Sequence, residues 1–165
     1  MRRRSLRWQI LGLAGWLALV SAVAAAGALA SVNAAAFYSQ LTKPGWAPPA
    51  SAFGPVWSVL YVLMGISAWL VWREHGNKPV ARALSLFVVQ LIANGLWSWL
   101  FFAWRLGAAS FADVVLLLLL IVLTIIAFYK VSRLAAVLMV PYLAWVCLAS
   151  ALTWSVWQGN PTLFH

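Results

Sequence analysis

Groups able to perform acid–base, nucleophilic or metal chemistry are scarce in this 165-residue sequence. Glu74 and Asp113 are its acids, His75 and His165 its imidazoles, and Cys147 its single thiol. The two histidines stand far apart, and no His, Cys, Asp or Glu set has the spacing of metal ligands. No Ser–His–acid or Cys–His arrangement is visible, and no glycine-rich phosphate loop follows a strand. A conventional catalytic constellation is therefore missing, and whether the chain is an enzyme stays open on this ground. One cysteine also excludes an internal disulfide.

Tryptophan is what the chain has in excess, at 12 residues. Trp8, Trp72, Trp104 and Trp157 fall at the ends of apolar runs, where amphipathic rings favour a membrane interface. Trp57, Trp97 and Trp145 lie further inside such runs. Helical spacing puts Phe53, Trp57, Tyr61 and Met64 on one face, Asn94 and Trp97 on a second, and Trp145, Ala149 and Leu152 on a third. Converging, these faces would form an aromatic cavity with one amide at its wall, suited to large flat apolar ligands held by stacking and dispersion. The alternative is ordinary packing within a bundle, with some rings turned to lipid.

Composition says what positions these rings. The chain is 65% hydrophobic and 8% charged, against about a quarter charged in soluble domains. Its net charge of +9 does not point to nucleic acid, because the basic residues sit in short clusters between long apolar runs. Five runs are long enough to cross a bilayer, at about 20 residues each: 8–30, 53–72, 80–104, 108–129 and 134–157. Lipid offers no backbone partners, so each must be helical. The expected fold is an all-α membrane protein, one five-helix domain over residues 1–165. Its one long connection, 31–52, contains the proline- and tryptophan-rich strap KPGWAPP.

Arg2, Arg3, Arg4, Arg7, Arg73, Lys78, Arg82, Lys130 and Arg133 share one side of this arrangement, while Lys43 and Arg105 fall on the other. The positive-inside rule then puts the N-terminus in the cytoplasm and the strap and C-terminus outside, as in a bacterial inner membrane. The first run also admits reading as a cleaved signal peptide. It is, however, longer than the usual core of roughly 7–15 residues. Its Ala14, Ala18, Ala22, Ala26 and Ala30 form a small-residue ridge that lets a neighbouring helix come close. Asp113, near the start of the fourth run, is expected to pair with Arg105 or a backbone group, although an acid in a span is also a functional candidate.

KPGWAPP, FGPVWSVLYVLMG, the Asn94–Trp97 segment and PYLAW at 141–145 resemble the translocator protein family, also called tryptophan-rich sensory proteins or peripheral benzodiazepine receptors. The resemblance runs from about Tyr38 to Trp157 and is to the bacterial type. It implies a five-helix bundle, homodimeric, binding porphyrins and synthetic aromatic drugs in a cavity closed by the first loop. By resemblance, Tyr38, Trp57, Asn94, Trp97, Trp145 and Ala149 match pocket-lining positions. The prolines stiffen the strap, so less entropy is lost in holding it as a lid. Trp46 and Tyr38 would cover a ligand, with Phe53, Trp57, Trp97 and Trp145 beneath.

The functional expectation is a tetrapyrrole-binding protein for protoporphyrin or haem, a sensor or scavenger that promotes light-dependent porphyrin breakdown. No cofactor is required, since the tetrapyrrole is the ligand, and an excited porphyrin with oxygen would supply the chemistry. Trp57 and Trp145 are then the candidate catalytic residues. The alternative is a transporter of porphyrin, sterol or another lipophile. Expected partners are the tetrapyrrole, membrane lipids and a second copy of the chain, with no nucleic acid. Mammalian family members carry a cholesterol motif, aliphatic–Tyr–basic, near the end of the last helix. The matching stretch here reads ALTWSVWQGN, with Trp154 and Gln158 at the tyrosine and basic positions, so cholesterol is expected to bind weakly.

Overall fold

A computed structural model describes residues 2–3, 5–75 and 78–165. Arg4 of the basic cluster lies outside the described residues. The elements in chain order are β1 (Arg2–Arg3), α1 (Leu6–Ala30), α2 (Ala34–Gln40), α3 (Ala50–Trp72), β2 (Glu74–His75), α4 (Lys78–Ser98), a π-helical turn (Trp99–Ala103), α5 (Gly107–Tyr129) and α6 (Arg133–Gly159). Five of the helices are long and apolar enough to cross a membrane. They fall where the five apolar runs put them, with ends shifted by a few residues.

Two differences have physical causes. The 31–52 connection is not a plain strap, because AAAFYSQ forms the seven-residue helix α2. A helix this short is marginal by itself. It is held by burial of Phe37 and Tyr38. Helix α3 begins at Ala50, ahead of the expected Phe53, directly after Pro49 in an extended conformation. Proline disfavours helix in the residue before it, so Pro48–Pro49 sets the boundary there.

The long helices form a ring in which neighbours run α1–α3–α6–α5–α4 and back to α1. Apolar attraction does not drive association between helices in lipid, so close packing at small residues must. A Cβ added at Gly12 would fall within the Trp72 ring, and one at Gly65 would come 2.7 Å from Leu17 Cδ2. These notches bring α1 and α3 together at one end. Trp72 thus packs into α1 rather than simply standing at an interface, whereas Trp8 and Trp104 are exposed. A Cβ at Gly107 would fall within the Trp157 indole, which ties α5 to α6.

The alanine ridge on α1 faces outward. Ala14, Ala18, Ala22 and Ala26 are exposed and only Ala30 is buried. Contact with the bundle uses the other face, where Trp16 meets Phe87 edge-on at 5.7 Å and the Trp69 indole donates to Gln9 O at 2.8 Å.

At one end of the ring, β1 pairs antiparallel with β2. At the other end, α2 and the rest of the strap lie beside the 104–106 turn and the C-terminal tail. His165 N donates to Arg105 O at 2.8 Å. Among the described residues, Arg105 is the non-glycine residue with a positive φ, 53°, and it follows the Trp104 cap of the π turn. Its guanidinium lies 4.4 Å from the Phe37 ring centroid, not beside Asp113. The expected Asp113–Arg105 pair is therefore absent. Asp113 sits on the inward face of α5, buried, with Oδ2 unpartnered. The turn carries Arg105 away towards the strap.

Candidate functional site

A cavity of about 740 Å³ lies between α1, α2, α3 and the end of α4. Its walls differ in kind. On α3, positions four apart bring Phe53, Trp57 and Tyr61 to the cavity. Trp97 and Phe102 join them from α4 and the π turn. The opposing α1 wall is built of Ala24, Ala25, Gly27 and Ala28, with Leu17 and Val20 at the inner end. An aromatic wall facing a small-residue wall leaves a slot, the shape that accepts a flat body.

The π turn bears on the aromatic wall. Trp104 N donates to Trp99 O at 2.8 Å, five residues back. This wider turn shifts the register of side chains that follow it. Phe101 stacks on Trp97 at 5.0 Å and 16°, and Phe102 meets the same indole edge-on at 5.7 Å. The Trp97 Nε1 hydrogen is buried without an acceptor.

Tyr38, in α2, forms the roof. Its hydroxyl donates to Pro48 O at 2.7 Å, so the strap closes on itself through the proline segment. The Lys43 ammonium donates to the carbonyls of Tyr38 (2.7 Å) and Leu41 (3.0 Å) and lies 4.7 Å from the Tyr38 ring centroid. Burial pushes the Tyr38 hydroxyl above its usual pKa of 10.0, so it stays a neutral donor at physiological pH.

The structure thus brings Tyr38, Phe53, Trp57 and Trp97 together around one cavity. It places the other expected site residues elsewhere. Trp46 is half-exposed at the tip of a turn in which Ala47 N donates to Pro44 O at 3.0 Å. Trp145 borders a separate apolar groove of about 620 Å³ between α3 and α6, with Pro55, Leu60 and Pro141. Ala149, one turn further along α6, lines neither the cavity nor this groove. Phe53 lies between the two sites, edge-on to both Tyr38 (5.3 Å) and Trp145 (5.7 Å).

Asn94 is buried behind the cavity wall rather than on it. Tyr61 donates to Asn94 Oδ1 at 2.5 Å. Asn94 Nδ2 donates to Tyr142 Oη at 3.0 Å, Tyr142 donates to Gln90 Oε1 at 2.8 Å, and Gln90 Nε2 lies 3.9 Å from Met64 Sδ. This chain crosses α3, α4 and α6 and sets the wall residue Tyr61 from behind. Buried polar groups in a membrane protein need such partners. The sequence reading missed Gln90 and Tyr142. Gln90 lies one helical turn before Asn94 in an otherwise apolar run, a signal available from spacing. Tyr142 stood unread inside PYLAW.

Five helices able to span a bilayer, with a roofed apolar slot between α1, α3 and α4, define an integral, multi-pass membrane protein. The TspO/MBR family matches residues 14–158, and the chain belongs to that family. It is 40% identical to the tryptophan-rich protein TspO of Chlorobaculum tepidum over 93% of this chain and 98% of the relative. It is 39% identical to the human translocator protein over 75% of each chain. Identity to protein CrtK of Rhodobacter capsulatus is 39%, over 85% of this chain and 89% of that one. The family match reaches into α1, in keeping with the part this helix plays as a cavity wall.

Proposed function

We propose that the protein binds tetrapyrroles, protoporphyrin or haem, in the slot beneath Tyr38, as a membrane sensor or scavenger. The observation that carries this reading is the slot itself. Its volume of about 740 Å³ lies within the roughly 300–1,000 Å³ of small-molecule sites, and one wall is aromatic while the facing wall is nearly flat. A macrocycle would stack against Trp57 and Trp97, with the α1 alanines at its other face.

Light-dependent porphyrin breakdown belongs to the same reading. It needs an oxidisable ring in contact with an excited porphyrin and oxygen, and Trp57 is the indole best placed for it. Trp145 would act through Phe53 or on a ligand in its own groove. Transport is the second reading. Ala25, Ala28, Ser58 and Val62 are exposed and border the cavity, which favours exchange of a lipophile with the bilayer. The Gly12 and Gly65 contacts close α1 against α3 beyond the slot, which favours binding over passage.

Spectral titration of the purified protein with protoporphyrin and haem, in darkness and under illumination, tests the proposal. A saturable Soret-band shift at one site per chain is expected. No shift at any concentration would end it. Uptake of porphyrin into sealed proteoliposomes without light-driven loss would move the assignment to transport.

A further inference from the structure

The strap is held from a distance. Asn160, which ends α6, is buried, at 6% exposure. Its Oδ1 accepts from Thr42 N at 2.8 Å, and its Nδ2 donates to Thr42 O at 3.0 Å and to Val156 O at 2.7 Å. One amide side chain therefore satisfies both backbone groups of a strap residue while anchored to its own helix. The pairing imitates a strand ladder and demands a group that is donor on one side and acceptor on the other.

A second hold lies on the other side of the roof residue. After Asn160 the chain turns, with Leu163 N donating to Asn160 O at 3.1 Å. The turn delivers Phe164 against Phe37 at 5.6 Å and Phe101 at 5.4 Å. Phe37 and Thr42 flank Tyr38, so the roof is pinned on both sides by the segment following α6.

We propose that Asn160 is a positioning residue, a latch that holds Tyr38 over the cavity through Thr42 and sets the rate at which a ligand enters and leaves. The proposal rests on the cavity being the ligand site, and its test separates the two. In ligand-free, full-length protein in lipid nanodiscs, hydrogen–deuterium exchange of the 38–42 amides should rise roughly tenfold in Asn160→Ala. That is the factor carried by a net loss of about 1.4 kcal/mol, near one hydrogen bond. Exchange in the α5 core around Ile121 should not change. In stopped-flow mixing with protoporphyrin, association and dissociation should both accelerate, with Kd altered much less than either rate. A loss confined to helix packing would instead raise exchange throughout.

Unchanged strap exchange in folded Asn160→Ala overturns the latch. Faster strap exchange with unchanged protoporphyrin rates overturns its role in gating. Faster strap exchange in Asn160→Ala, with a parent protein that binds no protoporphyrin, supports the latch and rejects the ligand reading. Should Asn160→Ala fail to fold, Asn160→Asp carries the test with the same outcomes. It keeps the size and the acceptor for Thr42 N but loses the donor to Thr42 O.

Discussion

The Tyr61 hydroxyl, on the cavity wall, donates to Asn94 Oδ1 at 2.5 Å, and Asn94 passes the chain on to Tyr142. A buried hydroxyl stripped of its partner costs about 1–3 kcal/mol. Tyr61→Phe and Asn94→Ala should each destabilise the protein in detergent. The double variant should cost less than the sum, with a coupling of about 0.5–3 kcal/mol. Additive losses in chemical unfolding would show that the two residues do not act together.

Trp57 lines the slot and Trp145 does not. Replacing Trp57 with Phe keeps most of the apolar area, so porphyrin affinity should fall by roughly tenfold at most, for about 0.5–1.5 kcal/mol of aromatic contact. Trp145→Phe should have a smaller effect and Trp8→Phe none, as measured by Soret titration. If the indole joins the photoreaction, light-driven porphyrin loss in Trp57→Phe should fall further than affinity does. Equal effects at all three positions would reduce these rings to general packing.

Gly107 and Gly15 make a matched pair. A Cβ at Gly107 would meet the Trp157 indole, while one at Gly15 has nothing within 4 Å. Gly107→Ala should cost about 1–3 kcal/mol through overpacking. Gly15→Ala should be neutral or mildly stabilising, since alanine favours helix by up to about 1 kcal/mol over glycine. Thermal unfolding of both variants checks the ranking.

The charge bias expects the strap outside and the connection between α5 and α6 inside. In a Cys147→Ser background, a membrane-impermeant maleimide applied to intact cells should label Thr42→Cys and spare Ser132→Cys until the cells are opened. The reverse pattern would invert the orientation.

Cholesterol should bind weakly. Trp154, at the position of the motif's tyrosine, is half-exposed and packs on Phe111 at 4.9 Å and Trp157 at 5.5 Å. It offers neither the hydroxyl nor, with Gln158, the neighbouring positive charge. A tight saturable isotherm abolished by Trp154→Ala would contradict this.

The spanning helices were legible because lipid leaves the backbone no alternative and because their apolar lengths are unambiguous. Phe53, Trp57 and Tyr61 were legible as one face for the same geometric reason. What spacing could not supply was the partner of each face. Trp145 and Trp57 both read as inward rings, yet they line separate pockets, with Phe53 on the wall of the first and in contact with Trp145. Helix α2 was hidden because seven residues, even alanine-rich ones, are too few to hold a helix alone; the burial of Phe37 against Phe101 and Phe164 stabilises it, and those contacts are remote in sequence. The Asn160–Thr42 pairing left no local signal at all.

That pairing joins positions 118 residues apart. A chain is made and inserted from its N-terminus, so the strap emerges long before its anchor exists. Until α6 is in place, α1, α3 and α4 can come together around a pocket whose cover is held by its own Tyr38–Pro48 bond and by Arg105 over Phe37, but not from the C-terminal side. The hold from Asn160 therefore forms late, and this non-local contact leaves the newly made protein more open to lipids, proteases and premature ligands in the interval before residue 160 arrives.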